Sequence, residues 1–93
     1  MITALIVDDE EPSRHKIRNL LLPHTDFIHI VAEAASGSQA IDLIHQHRPD
    51  LVFLDIHLMD MTGFDVLQAI TIDSPYIIFT TAYDNYALRA FEV

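Results

Sequence analysis

Short apolar runs alternate with helical patterns along this chain. Thr3 to Val7 (TALIV) is continuous, apolar and rich in β-branched residues, which suits a strand covered on both faces. Phe27 to Ala34 reads as a second strand, Leu51 to Leu54 as a third, and Tyr76 to Thr80, opened by Pro75, as a fourth. Between them the period changes. Pro12 sits where a first helical turn tolerates it, and Ile17, Leu20 and Leu21 recur at helical spacing up to Pro23. Ser36 with Gln39 forms a capping-box pattern ahead of the stripe Ala40, Ile41 and Ile44, which stops before Pro49. Thr62 with Asp65 can cap a helix whose apolar positions include Phe64, Leu67 and Ile70. Asp84 can cap a last helix with Ala87, Leu88 and Phe91 on one side.

Strands alternating with helices predict an α/β fold: a doubly wound parallel sheet with right-handed crossovers and helices on both faces. Neither an internal repeat nor a linker divides the chain, so one domain over residues 1–93 is expected.

Composition narrows the function classes. The chain is 51% hydrophobic and 20% charged, which excludes disorder. No apolar run approaches the roughly 18 residues of a membrane span, and the first strand stops at Asp8 without a basic start, so a cytoplasmic location is expected. There is no cysteine, hence no thiolate metal cage and no thiol nucleophile. Fourteen acidic residues against five basic ones give a net charge of -9, so this segment is not itself a nucleic-acid or membrane surface.

In open α/β sheets the site lies beyond the carboxyl ends of the strands, where strand order reverses. Those ends carry Asp8 and Asp9 after the first strand, Asp55 after the third, and Thr80 and Thr81 after the fourth. If the first and third strands are neighbours, three carboxylates meet in one cleft. They repel unless a hard cation compensates, so the cluster predicts Mg2+, which takes oxygen ligands. Asp55 held against such an ion could act as nucleophile toward a phosphoryl group and form an aspartyl phosphate. A threonine hydroxyl one strand away could donate to that group, and one of the two threonines is a plain strand residue.

With these residues the sequence resembles the receiver domains of two-component response regulators. The matching pieces are LIVDDEE with Asp8 and Asp9, LVFLD with Asp55 at its end, Gly63 eight residues later, and Thr81 followed by Ala82. Together and in register they span the whole chain. The resemblance implies a flavodoxin-like sheet of order 2-1-3-4, with a fifth strand and helix missing. It makes Asp55 the phosphoacceptor, Asp9 a direct Mg2+ ligand, Asp8 a ligand through water, His57 a ligand through its backbone carbonyl, and Thr81 the switch hydroxyl. A sensor histidine kinase is the implied partner. The resemblance also implies a phosphoacceptor switch that regulates, rather than an enzyme that turns over a metabolite.

Two departures stand out. Met59 occupies a position where the family usually has proline, and the lysine and aromatic switch residue of the family's fifth strand have no counterpart. The only lysine, Lys16, lies inside the first helix. The segment ALRAFEV resembles receivers that continue into a LytTR-type DNA-binding domain, so DNA contact is expected through a domain beyond this segment. Without a fifth strand, Ile77, Ile78 and Phe79 are expected on an unpaired edge through which copies dimerise or swap elements.

Two other functions compete. A haloacid-dehalogenase-like phosphohydrolase carries D-x-D-x-T/V after its first strand, whereas this chain has Asp8-Asp9-Glu10-Glu11-Pro12. A pseudo-receiver would keep the fold as an interaction module, but all three family acidic positions are filled. The six histidines show no i, i+4 pair and read as surface residues.

Overall fold

The computed structural model describes residues 1–80. The expected last helix and Thr81 lie outside the described residues. Within them the chain runs β1 (Ile2–Val7), α1 (Glu11–Leu21), a 3-10 turn (Leu22–His24), β2 (Ile28–Ala34), α2 (Gly37–His47), β3 (Leu51–Asp55), α3 (Gly63–Ala69) and β4 (Tyr76–Thr80). All pairings are parallel and the order is β2-β1-β3-β4, as expected. β1 and β3 are the inner strands.

The continuous apolar run of β1 has its reason in this position. Leu5 and Val7 enter a core with Val52 and Leu54 of β3, Ala40 and Ile44 of α2, and Val66 of α3. Ala4 and Ile6 are equally buried on the other face. β4, an edge among the described residues, leaves Tyr76 and Ile78 exposed.

Both expected caps form, in different ways. Ser36 accepts from the Gln39 N–H at 3.1 Å, but the Gln39 side chain reaches past it and accepts from the Ala35 N–H at 2.8 Å. Thr62 and Asp65 close a full capping box, each accepting from the other's backbone N–H. At its C-terminus α2 ends on Arg48 in the left-handed region, φ 47°, just before Pro49.

Two helix stripes differ from the apolar pattern. In α3 the buried positions are Gly63 and Val66, while Phe64 is 42% exposed and rests against the Phe79 ring. Ile70 already lies beyond the helix in extended backbone. The Gly63 N–H donates to the Ile56 carbonyl at 2.7 Å, which sets the helix's rotation and turns Val66 inward. In α1 the partly buried positions are Ser13, Arg14, Ile17, Arg18 and Leu21, and Leu20 points out at 64% exposure. The two arginines take core-side positions because Glu33 of β2 pairs with both guanidiniums.

Replacing Arg48 by glycine is expected to stabilise the fold by about 0.5–1 kcal/mol, because a left-handed residue with a Cβ is strained there. A raised urea midpoint at unchanged slope is the expected reading, and an unchanged or lowered midpoint counts against that strain.

Candidate functional site

β1 and β3 lie side by side in the same direction, Val7 opposite Leu54, so their carboxyl ends share one rim. Asp8 follows β1 at once, Asp9 comes next, and Asp55 is the last residue of β3. One oxygen from each of the three carboxylates lies within 4.8 Å of the others. The sequence expectation of a three-carboxylate cleft is met, at the point where the chain leaves toward opposite sides of the sheet.

Each acid is held differently. Asp8 is 7% exposed, and its Oδ1 accepts from the Glu10 N–H at 2.9 Å, while Arg14 Nη1 donates to the Asp8 carbonyl at 2.6 Å. Burial raises the Asp8 pKa, the Glu10 N–H opposes that rise, and the neighbouring Asp9 and Glu10 charges add to it. Asp55 Oδ1 accepts a long bond, 3.4 Å, from the His57 N–H. Its pKa is pushed up to about 6, chiefly by desolvation and then by the Asp8 charge, against the pull of the His57 N–H. A positive charge placed among the three carboxyls would relieve this repulsion.

The loop after Asp55 is tied down at several points. Leu58 N–H donates to the Met61 carbonyl at 3.1 Å, and His57 bridges Thr62 in antiparallel fashion. Gly63 meets a spatial demand, because a Cβ there would stand 2.6 Å from the Asp55 carbonyl oxygen. Asp60 was not singled out in the sequence, yet it anchors the loop. Its two oxygens accept from the N–H groups of Gly37 and Ser38 at 2.8 and 2.9 Å, and these bonds hold its pKa below the usual carboxylate range. Those donors belong to the first turn of α2, 22 and 23 residues away, so no local pattern could have disclosed the pairing. Met61 then covers Gly37 so closely that a Cβ there would sit 2.3 Å from its Cγ.

Of the other expected residues, Thr80 stands opposite Asp55 in the β3–β4 register, and His57 is bonded to Asp55 through its N–H. No helix among the described residues is long and apolar enough to cross a membrane.

A family model described as the response regulator receiver domain matches residues 4–93. The sensory transduction protein LytT of Enterococcus faecalis is 46% identical over 92 residues, covering 97% of this chain and 38% of its own length. The transcriptional regulatory protein BtsR of Salmonella typhi is 44% identical over 93 residues, covering 99% of this chain and again 38% of its own. This chain thus spans well under half the length of these relatives. Among solved structures, a LuxR-family two-component response regulator from Aurantimonas sp. SI85-9A1 matches with a TM-score of 0.79 at 28% identity, over 99% of this chain and 68% of that one.

Two outcomes follow from the geometry. Because folding raises the Asp55 pKa from 3.8 to about 6, the folded state binds its proton more tightly than the unfolded chain does. Metal-free protein therefore loses stability as pH rises through that window. The loss is about 1–2 kcal/mol after discounting for solvent screening, and Asp55→Asn is expected to remove most of it in urea titrations at pH 4 and pH 7.5. Gly63→Ala is expected to cost about 1–3 kcal/mol by the same assay, because backbone must move to admit the methyl group.

Proposed function

The chain belongs to the response regulator receiver domain family, a regulatory family of two-component systems, and on that footing we propose that Asp55 accepts a phosphoryl group from a partner histidine kinase. The observation that carries the reading is the meeting of Asp8, Asp9 and Asp55 at adjacent parallel strand ends. The His57 N–H engages Asp55 Oδ1, which leaves the second oxygen to attack. That oxygen bonds to the phosphorus of a phosphohistidine as the N–P bond breaks, and the leaving imidazole keeps the electron pair and takes up a proton. Turnover of a metabolite is no part of this role.

The donor set suits Mg2+: three carboxylate oxygens within 4.8 Å of one another and no sulfur. Asp9 and Asp55 would bind it directly, Asp8 through water, and His57 through its carbonyl. When bound, the ion supplies positive charge that offsets the carboxylates and the phosphoryl oxygens. Asp8 keeps its place through the Glu10 N–H and through Arg14, which pins its carbonyl. Thr81 keeps the role of switch hydroxyl.

The relatives' lengths and the name transcriptional regulatory protein support an output domain, outside this segment, that binds DNA in the cytoplasm. With a net charge of -9, this segment leaves DNA contact to that domain. Association of two copies through the β4 edge is the further part of this reading, supported by exposed Ile78 and Tyr76. Light scattering of the 93-residue chain at high concentration is expected to show a dimer, and a monodisperse monomer contradicts it.

The central test uses beryllofluoride, which mimics a phosphoryl group on aspartate. Calorimetry is expected to show it binding in the presence of Mg2+, with no binding to Asp55→Asn and on the order of tenfold weaker Mg2+ affinity in Asp9→Asn. Undiminished beryllofluoride binding by Asp55→Asn removes that residue from its role. If neither metal nor mimic binds, an interaction module becomes the better account.

A further inference from the structure

The segment between Asp55 and Gly63 is closed on itself. The Leu58 N–H donates to the Met61 carbonyl, His57 bridges Thr62 in antiparallel fashion, and the Gly63 N–H returns to the Ile56 carbonyl at 2.7 Å. Cross-bonds of this kind make residues 56–62 one piece, with Met59 and Asp60 at its tip. The base of the piece is held by burial, since Ile56 is 3% and Leu58 9% exposed. The tip is held differently. Met59 stands out at 89% exposure, while both oxygens of Asp60 accept from the first turn of α2, from Gly37 N–H at 2.8 Å and Ser38 N–H at 2.9 Å.

Those two bonds cross from the loop to another element. The amides of a first turn have no partner within their own helix, and a carboxylate that takes two of them is held by charge as well as by direction. Below the tip, the same piece carries His57, whose N–H donates to Asp55 Oδ1. A shift of the tip therefore moves the backbone that meets Asp55.

We propose that Asp60 is a positioning residue of the acidic site: by tying the loop to α2 it fixes the His57 backbone against Asp55, and it couples cation binding at the carboxylates to the first turn of α2. This rests on the reading of Asp8, Asp9 and Asp55 as a Mg2+ site to which His57 lends its carbonyl. Asp60 stands apart from that group, its oxygens spent on α2. Such coupling is reciprocal: whatever the tether contributes to ion binding, the bound ion contributes to the tether.

The test titrates Mg2+ alone by calorimetry into wild type, Asp60→Ala, Asp60→Asn and Ser36→Ala, with the urea midpoint of each. Ser36→Ala removes a different bond at the same helix start, the one from the Gln39 N–H, and leaves the loop untouched. Both alanine variants are expected to lower the urea midpoint. Only Asp60→Ala is expected to weaken Mg2+ binding, on the order of tenfold, the usual scale for an outer partner of a metal ligand. Asp60→Asn loses the same charge but keeps an oxygen able to accept one of the N–H groups, so its affinity is expected to fall less, about threefold. In wild type, Mg2+ is expected to slow amide exchange at Gly37 and Ser38 more than at Gln39.

Equal weakening in Asp60→Ala and Asp60→Asn reduces the effect to lost charge, and equal weakening in Asp60→Ala and Ser36→Ala reduces it to lost stability. Either overturns the proposal, as does exchange that slows equally at the three amides. Unchanged affinity in Asp60→Ala overturns it too and leaves the metal reading standing, whereas wild type that binds no Mg2+ overturns the metal reading and this inference with it.

Discussion

A strand buried on both faces cannot carry polar side chains along its length, so its polar residues collect at its ends. β1 and β3 are two such strands, adjacent and parallel, with Leu5, Val7, Val52 and Leu54 interleaved on one face and Ala4 and Ile6 buried on the other. Parallel pairing puts both carboxyl ends on the same rim. The acidic cluster is thus a consequence of core packing: wherever β1 and β3 pair in this register, Asp8, Asp9 and Asp55 must meet. Moving either strand by one residue would exchange the side chains that its two faces present and carry the acids out of line.

That meeting has an electrostatic cost, visible in the raised pKa values of Asp8 and Asp55. The structure offsets it with backbone dipoles more than with side-chain charge. The Glu10 and His57 N–H groups point at the two strained carboxyls, while the cationic side chain nearest Asp8 spends its bond on the main-chain carbonyl. Arg14 is itself committed to Glu33, which it shares with Arg18, and Arg18 reaches on to Glu11 at 2.6 Å. The rim keeps its negative charge, while α1 is fastened to β2 by neutralised pairs.

The loop after Asp55 shows how a site is held still largely through bonds made away from its central carboxylate. Asp60 grips the first turn of α2, the Gly63 N–H grips Ile56, and α3 begins against the Asp55 carbonyl with room for no Cβ. Asp55 therefore lies against the start of α3, and the loop that follows it is tied to the start of α2.

Within residues 1–80 the sequence alone determined the elements, their parallel arrangement and the three acids, because each depends on local spacing: apolar runs bounded by Pro and Asp, caps three residues from their partners, and carboxylates at strand ends. It misplaced Leu20 of α1 and Phe64 of α3 on the buried faces of their helices. An arginine reads as exposed until its partner Glu33 is known, and Phe64 reads as core until the Gly63 bond fixes how the helix is turned. The anchoring bonds of Asp60 left no trace in it, since they depend on Gly37 and Ser38, more than 20 residues away in the chain. Tertiary structure alone decided them, because hydrogen bonds between distant segments are set by how whole elements pack and not by the period of any one of them.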